Sequence, residues 1–338
     1  MADMSGKIKI GDIEAERGRI ARGHLTVGRL AMGSDLKIPV LIINGTEDGP
    51  VLWLNGAVHG DELNALMVMR RIACEIDSAR LAGAVVCTPL ANPLAVHWRN
   101  KINPYDFLDL DQQFPGKADG TYSQRVAFAL FSRIRAVATH LISFHTVGSY
   151  FSAEPYTVYK YAPGASQDMK DTVEKMALAF SVRLNCRVDL ATATGEIAGG
   201  VAGALDVACS SNGIPAFMAE IGSGGQFQED AIRTGVDGVR SVMRTLGMEK
   251  GDPTLRAGQI RVTKRAFVYS DHAGFLSDPV APGVTVAKGE PLAKVVDFFD
   301  EIGLVLAPHT AQVIMIRKEP VLHIGDRVAF VGLEWEPI

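Results

Sequence analysis

The sequence predicts an α/β protein in which helices flank a mostly parallel central sheet, with a small all-β domain after it. Up to about residue 250, short apolar segments alternate with segments of helical period. From Ile260 onward no helical period occurs and glycine turns recur instead. The 338 residues are 47% hydrophobic and 21% charged, which is typical of a folded globular protein and not of a disordered chain.

The first hundred residues contain the segments that predict the start of the sheet. His24–Val27 and Ile38–Ile43 are rich in β-forming residues. Pro50–Gly56 is a short apolar run that ends in glycine, as expected for a strand buried on both faces. Asp61–Ile76 carries apolar residues at helical spacing, which predicts a helix directly after that strand.

The alternation continues toward residue 250. Gly83–Pro89, Leu141–Phe144 and Pro215–Ala219 are further short apolar runs of the strand type. Ser123–Val137 and Asp230–Leu246 have helical periods. Because strands that alternate with helices are joined by crossovers, the pattern indicates a parallel sheet.

The pattern changes near Gly251, and we place the boundary between a larger domain of residues 1–255, with an N-terminal β segment, and an all-β domain of residues 256–338. Segments 280–293 and 319–328 resemble each other, and this repeat is similar to the barrel-sandwich hybrid of lipoyl and biotinyl domains. A carrier domain would present a lysine between its halves, but residues 296–301 contain none. The domain is therefore predicted to be structural or interfacial.

Charge and cysteine usage exclude several classes of protein. Lys and Arg total 34 against 38 Asp and Glu, a net charge of −4, so neither nucleic acid nor an anionic membrane is the predicted partner. No apolar signal core opens the chain, and we expect a cytoplasmic location. No C-x-x-C pair occurs, so a bound metal would need imidazole and carboxylate ligands. The cysteines expected in the core are Cys74, Cys87, Cys186 and Cys209.

Four ionisable residues stand at the ends of predicted strands, where ligands collect in open parallel sheets. His59 and Glu62 are three residues apart, so a turn that opens into a helix can aim both side chains at one point. His145 ends a second strand and Glu220 follows a third. Imidazole and carboxylate suit Zn²⁺, so His59, Glu62 and His145 predict a zinc site with a position open for water. Glu220 beside that water can act as a general base and then as an acid.

Taken singly, these residues have simpler explanations. A lone histidine is more often structural or at the surface, and Glu220 alone would suit an N-cap. Asp61, beside the predicted ligands, suits either an orienting role toward a ligand or a solvated helix N-terminus. The shared position at strand ends favours the metal site, while the other six histidines lack such a setting and are expected to be structural.

With these residues in view, the sequence resembles the succinylglutamate desuccinylase/aspartoacylase family, in the zinc carboxypeptidase-like clan. The resemblance covers about residues 20–250, in the family's motif order. Its motifs are Val58–Glu62, Asn92–Ala95, Asp109–Leu110, Phe114–Gly116, His145–Thr146 and Glu220–Gly222. It implies that residues 1–255 form a zinc hydrolase catalytic domain of carboxypeptidase-like fold, with one Zn²⁺ per chain on His59, Glu62 and His145.

The resemblance also implies a reaction on a small-molecule substrate. A zinc-bound water, activated by Glu220, would hydrolyse the amide bond of a small N-acyl amino acid or related acylated amine, with Asn92 in the substrate site. One alternative is an esterase or carboxypeptidase-like hydrolase. Another is a non-catalytic zinc-binding member of the family. A homo-oligomer is compatible with either, because symmetric assembly is common.

The sequence departs from the family pattern D-L-N-R-x-F-P-G, whose Asn and Arg grip a substrate carboxylate. Asp111 and Gln112 stand at those positions, which makes the site two charge units more negative than the pattern. Glutamine also lacks the guanidinium fork that binds a carboxylate through two hydrogen bonds. Ten residues before Asp111, where the family commonly has an arginine that polarises the scissile carbonyl, stands Lys101; Arg99 is near but does not align.

These departures predict a substrate that presents an amine, a hydroxyl or an amide to Asp111 and Gln112. An N-acylated diamino acid or another amine-bearing amide would fit. The alternative is that a different cation, such as Arg99 or Arg125, binds a substrate carboxylate. In both cases Lys101, or Arg99, is expected to stabilise the oxyanion.

Overall fold

The computed structural model of the protein describes residues 6–193 and 201–338. Within these ranges helices and strands are interspersed up to residue 245, and strands without helices follow. The strands are β1 Ile8–Ile10, β2 Ile13–Ala15, β3 Ile20–Arg29, β4 Asp35–Asn44, β5 Glu47–Asn55, β6 Ala82–Thr88, β7 His140–His145, β8 Phe151–Ala153, β9 Tyr156–Tyr161, β10 Leu184–Asp189, β11 Ala216–Glu220, β12 Ile260–Tyr269, β13 Gly274–Ser277, β14 Thr285–Val286, β15 Pro291–Val296, β16 Glu301–Leu306, β17 Ala311–Arg317, β18 Val321–Leu322 and β19 Arg327–Pro337. The helices are α1 Asn64–Glu75, α2 Pro93–Trp98, α3 Tyr122–Val137, α4 Gln167–Ala179, α5 Leu205–Ser210 and α6 Glu229–Thr245.

One large sheet of the described residues runs in the order β14-β17-β19-β12-β10-β9-β11-β7-β5-β6-β4-β3, with β8 paired to β17. From β12 to β6, five of the six neighbouring pairs are parallel, and only β9 and β11 are antiparallel. The strands outside this section pair antiparallel. The predicted α/β class is therefore confirmed, with mostly parallel central strands inside a sheet that is mixed overall.

Two apolar cores cover the faces of the central strands. On β5, Trp53 packs in one core, while its neighbours Leu52 and Leu54 pack in the other, because successive side chains on a strand point to opposite faces. Full burial of each such side chain contributes roughly 1.5–3 kcal/mol. The strand ends that carry the predicted ligands are thus held by a rigid sheet.

The elements predicted between residues 24 and 246 are present, with ends that shift by at most four residues. The largest shift is at β3, which begins at Ile20, four residues before the predicted His24. The helix predicted from Asp61 begins at Asn64 because residues 59–62 form a turn instead. The expectation for the cysteines is wrong at one position. Cys74 is exposed, because it lies on the side of α1 opposite its buried residues, whereas the other three cysteines are buried.

The part of the chain from Ile260 onward consists of strands and has its own apolar core. Its β15, flanked by β13 and β16, belongs to a four-stranded sheet of order β16-β15-β13-β18. Its first strand, β12, pairs in parallel with β10 and so extends the central sheet. The domain boundary after residue 255 stays a prediction. No helix in the described ranges is long and apolar enough to cross a membrane.

Candidate metal centre

The turn between β5 and α1 carries the first two predicted ligands. Gly60 lies directly against the end of α2, and its amide donates to the Asn100 carbonyl at 2.9 Å. A Cβ at position 60 would stand 2.0 Å from the Ala95 carbonyl group, so only glycine fits there. Because of this close approach, the turn from His59 to Glu62 packs directly against α2.

The three predicted ligands converge. His59 Nδ1 lies 2.9 Å from Glu62 Oε1, and His145 Nδ1 lies 3.2 Å from Glu62 Oε2. All three residues are buried, and one ligand atom from each lies within 4.8 Å of the other two. The Thr146 amide donates to Glu62 Oε2 at 3.0 Å and fixes the carboxylate. Two imidazole nitrogens and a carboxylate around one point are a donor set that fits Zn²⁺ with a further position open.

Two other residues orient the histidines. His59 Nε2 lies 3.0 Å from Asp109 Oδ1, and His145 Nε2 lies 3.1 Å from Ser143 Oγ. A proton on each Nε2 donates to these oxygens and leaves each Nδ1 free to bind a metal. Neither of these roles, of Asp109 and of Ser143, was predicted from the sequence. The position of Asp109 in a family motif was the only signal for it, and Ser143 had none.

The pKa values show that the centre attracts positive charge. Burial alone would lower the pKa of His59, but the carboxylates of Glu62 and Asp109 raise it to about 10. Burial would likewise raise the pKa of Glu62, yet His59 and His145 hold it below its ordinary value. The same potential favours a divalent cation, whose binding releases the imidazole protons.

Glu220 ends β11 and lies beside His145 in the register of β11 and β7. Its Oε2 is buried and has no hydrogen-bond partner among the described residues. Burial raises the pKa of Glu220 to about 7. A carboxylate with such a pKa and a free oxygen can accept a proton near neutral pH and return it.

Two predicted cations line the same cavity, whose volume is about 520 Å³. Lys101 Nζ lies 3.7 Å from Asp109 Oδ2, close to the ligand His59. Arg99 lines the cavity and has no ion-pair partner within the described ranges. Arg125 lies outside the described lining of this cavity, and its Nε donates to the Gly120 carbonyl at 2.7 Å.

Asp111 and Gln112 also line the cavity. Asp111 Oδ1 accepts a hydrogen bond from the Leu205 amide at 3.1 Å, while Oδ2 lies 4.0 Å from His145 Nε2. Burial raises the pKa of Asp111. The Gln112 side-chain nitrogen donates to Asp109 Oδ2 at 3.4 Å. The side-chain oxygen of Gln112 can then accept a hydrogen bond from a substrate.

Asn92, predicted in the substrate site, lies outside the described cavity lining. Its amide donates to the Val58 carbonyl at 3.0 Å, and its oxygen caps α2 by accepting from the Ala95 amide. The buried side chain thus ties α2 to the ligand turn and supports the centre from behind. Asp61 does line the cavity, and burial raises its pKa.

This chain is similar to known proteins of one family. The family profile described as succinylglutamate desuccinylase/aspartoacylase catalytic domain matches residues 48–246. This chain belongs to that family. The matched segment contains the three converging side chains of the centre, and also Glu220, Lys101 and Asp111.

Individual relatives cover nearly the whole chain. The N-alpha-acetyl-L-2,4-diaminobutyric acid deacetylase of Halomonas elongata is 22% identical over 303 residues, which are 87% of this chain and 85% of that protein. The structure of the product-bound ectoine utilization protein EutE (DoeB) from Ruegeria pomeroyi has a TM-score of 0.81 at 22% identity and covers 98% of this chain and 100% of that one. A succinylglutamate desuccinylase/aspartoacylase from Rhodobacter sphaeroides gives 0.79 at 22% identity, over 95% and 96% of the two chains. These structures establish a shared fold along the whole chain.

Proposed function

We propose that the protein is a zinc-dependent deacylase that hydrolyses the amide bond of an N-acylated diamino acid. The observation that carries the proposal is the buried centre of His59, Glu62 and His145 with Glu220 beside it, whose Oε2 has no partner among the described residues, all facing one cavity. A protein that only bound a metal would gain nothing from a base next to the ligands. A cytoplasmic location and a homo-oligomer remain predictions.

The donor set supports Zn²⁺ as the metal. His59 and His145 would bind it through Nδ1, with Glu62 as the third ligand, and the oxygens of Asp109 and Ser143 would hold the rings in place. When bound, Zn²⁺ supplies a Lewis acid that polarises a carbonyl group and acidifies water.

Glu220 performs the proton transfers in this proposal. It accepts a proton from the attacking water as the new carbon–oxygen bond forms. It then delivers that proton to the amide nitrogen as the carbon–nitrogen bond breaks, which releases a carboxylic acid and an amine. The pKa of about 7 suits both steps, because the group must accept and donate at a similar pH.

The cations divide the remaining work. Lys101 lies 3.7 Å from Asp109, the residue that contacts His59, and stabilises the negative charge that develops on the carbonyl oxygen. Arg99, which has no ion-pair partner within the described ranges, is free to bind the carboxylate of the amino acid. Arg99 remains the alternative candidate for the oxyanion.

The substrate class follows from Asp111 and Gln112. A substrate ammonium group would pair with Asp111 Oδ2, the oxygen that the Leu205 amide leaves free, and donate to the Gln112 oxygen. A substrate carboxylate in the same place would meet two acceptors. The Halomonas elongata relative, which is named as a deacetylase of an acetylated diamino acid, supports this choice.

The test measures amine release from acetylated 2,4-diaminobutyrate, aspartate and glutamine, with zinc content determined on the same sample. We expect turnover that follows zinc content and favours the diaminobutyrate derivative. Asp111→Asn should lower kcat/KM for that derivative by roughly 10- to 100-fold, since it removes a charge-assisted hydrogen bond. The same variant should change turnover of acetylglutamine much less.

The result also decides between the alternatives. Faster turnover of acetylaspartate would contradict the role of Asp111 and assign carboxylate binding in this region to Arg99. Faster hydrolysis of the matching ester or dipeptide would favour an esterase or a carboxypeptidase-like hydrolase. Full zinc content without turnover of any compound would favour a non-catalytic zinc-binding protein.

A further inference from the structure

The cavity extends far beyond the metal centre. Its floor is one face of the large sheet and continues from Glu220 on β11 across Val158 on β9 and Val188 on β10 to Phe267 on β12. Three strand spacings of ~4.8 Å separate β11 from β12, so the floor is about 14 Å wide. An acetyl group extends only one carbon–carbon bond, ~1.5 Å, beyond the scissile carbonyl.

The far end of this floor has a different character from the metal centre. Phe267, Met315 and Phe330 line it together with Arg265 and Arg327, and we call the three apolar residues the aromatic wall. Phe267 and Phe330 stack with ring centroids 4.6 Å apart, and the Arg327 guanidinium lies 4.4 Å from the Phe267 centroid. Both phenylalanines are only half-buried, so part of each ring faces the cavity.

We infer that the aromatic wall binds an apolar acyl group longer than acetyl, so that the preferred substrates are N-acylated diamino acids with acyl chains of about six carbons or an aryl group. This inference rests on the proposed deacylase function. Asp111 and Gln112 occupy the polar end of the cavity and bind the amine portion. The aromatic wall is therefore left to the acyl portion. A cavity of about 520 Å³ is of the size that holds ligands much larger than an acetylated amino acid.

The test compares kcat/KM for Nα-acetyl-, Nα-butyryl-, Nα-hexanoyl- and Nα-phenylacetyl-2,4-diaminobutyrate. Each buried methylene improves binding roughly fourfold, so we expect the hexanoyl compound to exceed the acetyl compound at least tenfold. Phe267→Ala should lower kcat/KM for the hexanoyl compound at least tenfold and that for the acetyl compound less than twofold. Phe298→Ala, at an exposed phenylalanine outside the described cavity lining, should change neither.

Binding of fatty acid anions gives a readout that needs no catalysis. Calorimetry on the metal-free protein should detect hexanoate at concentrations at which acetate does not bind, and Phe267→Ala should abolish the difference. The thermal unfolding midpoint of each variant shows whether the fold is intact.

Two outcomes would overturn the inference. They are kcat/KM values that fall steadily from acetyl to hexanoyl, and equal binding of hexanoate and acetate. A failure of the proposed deacylase function can be told apart from a failure of this inference. If the proposed function is wrong, the zinc-loaded protein releases amine from no member of the series. Calorimetry would still decide what the aromatic wall binds.

Discussion

At the scale of single residues, Glu220 and Asp111 show how two carboxylates that line one cavity obtain different roles. Asp111 Oδ1 accepts a hydrogen bond from the backbone, and this fixes the orientation of its side chain. Glu220 Oε2 has no partner within the described ranges, and burial raises its pKa to about 7. The first arrangement suits recognition of a charge, and the second suits transfer of a proton.

Replacing Glu220 by Gln keeps the shape of the side chain and removes the proton acceptor. We expect kcat to fall by at least ~10²-fold, because general acid–base catalysis contributes that much or more. Zinc content should not change, because the three ligands remain. Glu47→Gln, at an exposed glutamate at the start of β5, is the control and should keep full activity. Loss of zinc from the Glu220 variant would instead indicate that Glu220 is a ligand.

Asp109 is expected to act through His59 and not on the substrate. Asp109→Asn removes the charge that holds the ring with Nδ1 toward the metal, so zinc affinity should fall by about 10- to 100-fold. Competition with a chelator measures this affinity directly. Asp168→Asn on α4 serves as the exposed control. An unchanged affinity combined with lower kcat would place Asp109 in contact with the substrate instead.

At the scale of elements, the ligand turn depends on its contact with α2. Gly60→Ala would place a methyl group 2.0 Å from the Ala95 carbonyl, so the turn or the helix must shift. We expect a loss of about 1–3 kcal/mol in the free energy of unfolding and weaker zinc binding. Denaturant unfolding and chelator competition measure the two effects. Gly28→Ala on β3, where the nearest side-chain atom is 3.9 Å away, should be tolerated.

Some of the strands and helices could be predicted from the sequence alone, and others could not. The strands β5, β7 and β11 were predictable because each is a short apolar run followed by a polar ligand or base. The strands β9 and β10 and the helix between them were not identified. Lys160 in β9 and Asn185 and Arg187 in β10 interrupt the apolar pattern. Lys160 is nevertheless buried, because its Nζ pairs with Asp206 at 2.7 Å.

The residues of the candidate site also include some that the sequence predicts and some that it does not. The three candidate metal ligands could be predicted because they stand at or shortly after the ends of strands, and parallel strand ends meet at one edge of a sheet. Asp109 comes from a loop fifty residues after His59, and its distance of 3.0 Å is a property of tertiary packing that no local spacing encodes. The aromatic wall was equally out of reach, since it depends on which strands pair with β12.

At the scale of the whole molecule, β12 belongs to the central sheet and to the C-terminal strands at once. It pairs with β10 through Leu184–Cys186 on one side and with β19 on the other. A second connection joins β8 to β17, and Arg183 donates to the Gly283 carbonyl and to Gln312. The lining of the cavity therefore comes from strands before residue 255 and from strands after it.

This continuity predicts that the full-length protein unfolds as one unit, although the sequence pattern changes near Gly251. Calorimetry should give a single transition whose van't Hoff and calorimetric enthalpies agree. Thiol labelling along a denaturant series locates the event. Cys87 in the central sheet and Cys186 at the junction of β10 and β12 should become reactive at the same denaturant concentration. Cys74, which is exposed, should react in the native protein and calibrates the labelling. Earlier labelling of Cys186 with two calorimetric transitions would mean that the C-terminal strands separate first, and that residues 256–338 form an independent domain.

Zinc should raise the midpoint of the single transition in proportion to the logarithm of its concentration, because it binds only the folded centre. A midpoint that does not respond to zinc would contradict the metal centre itself.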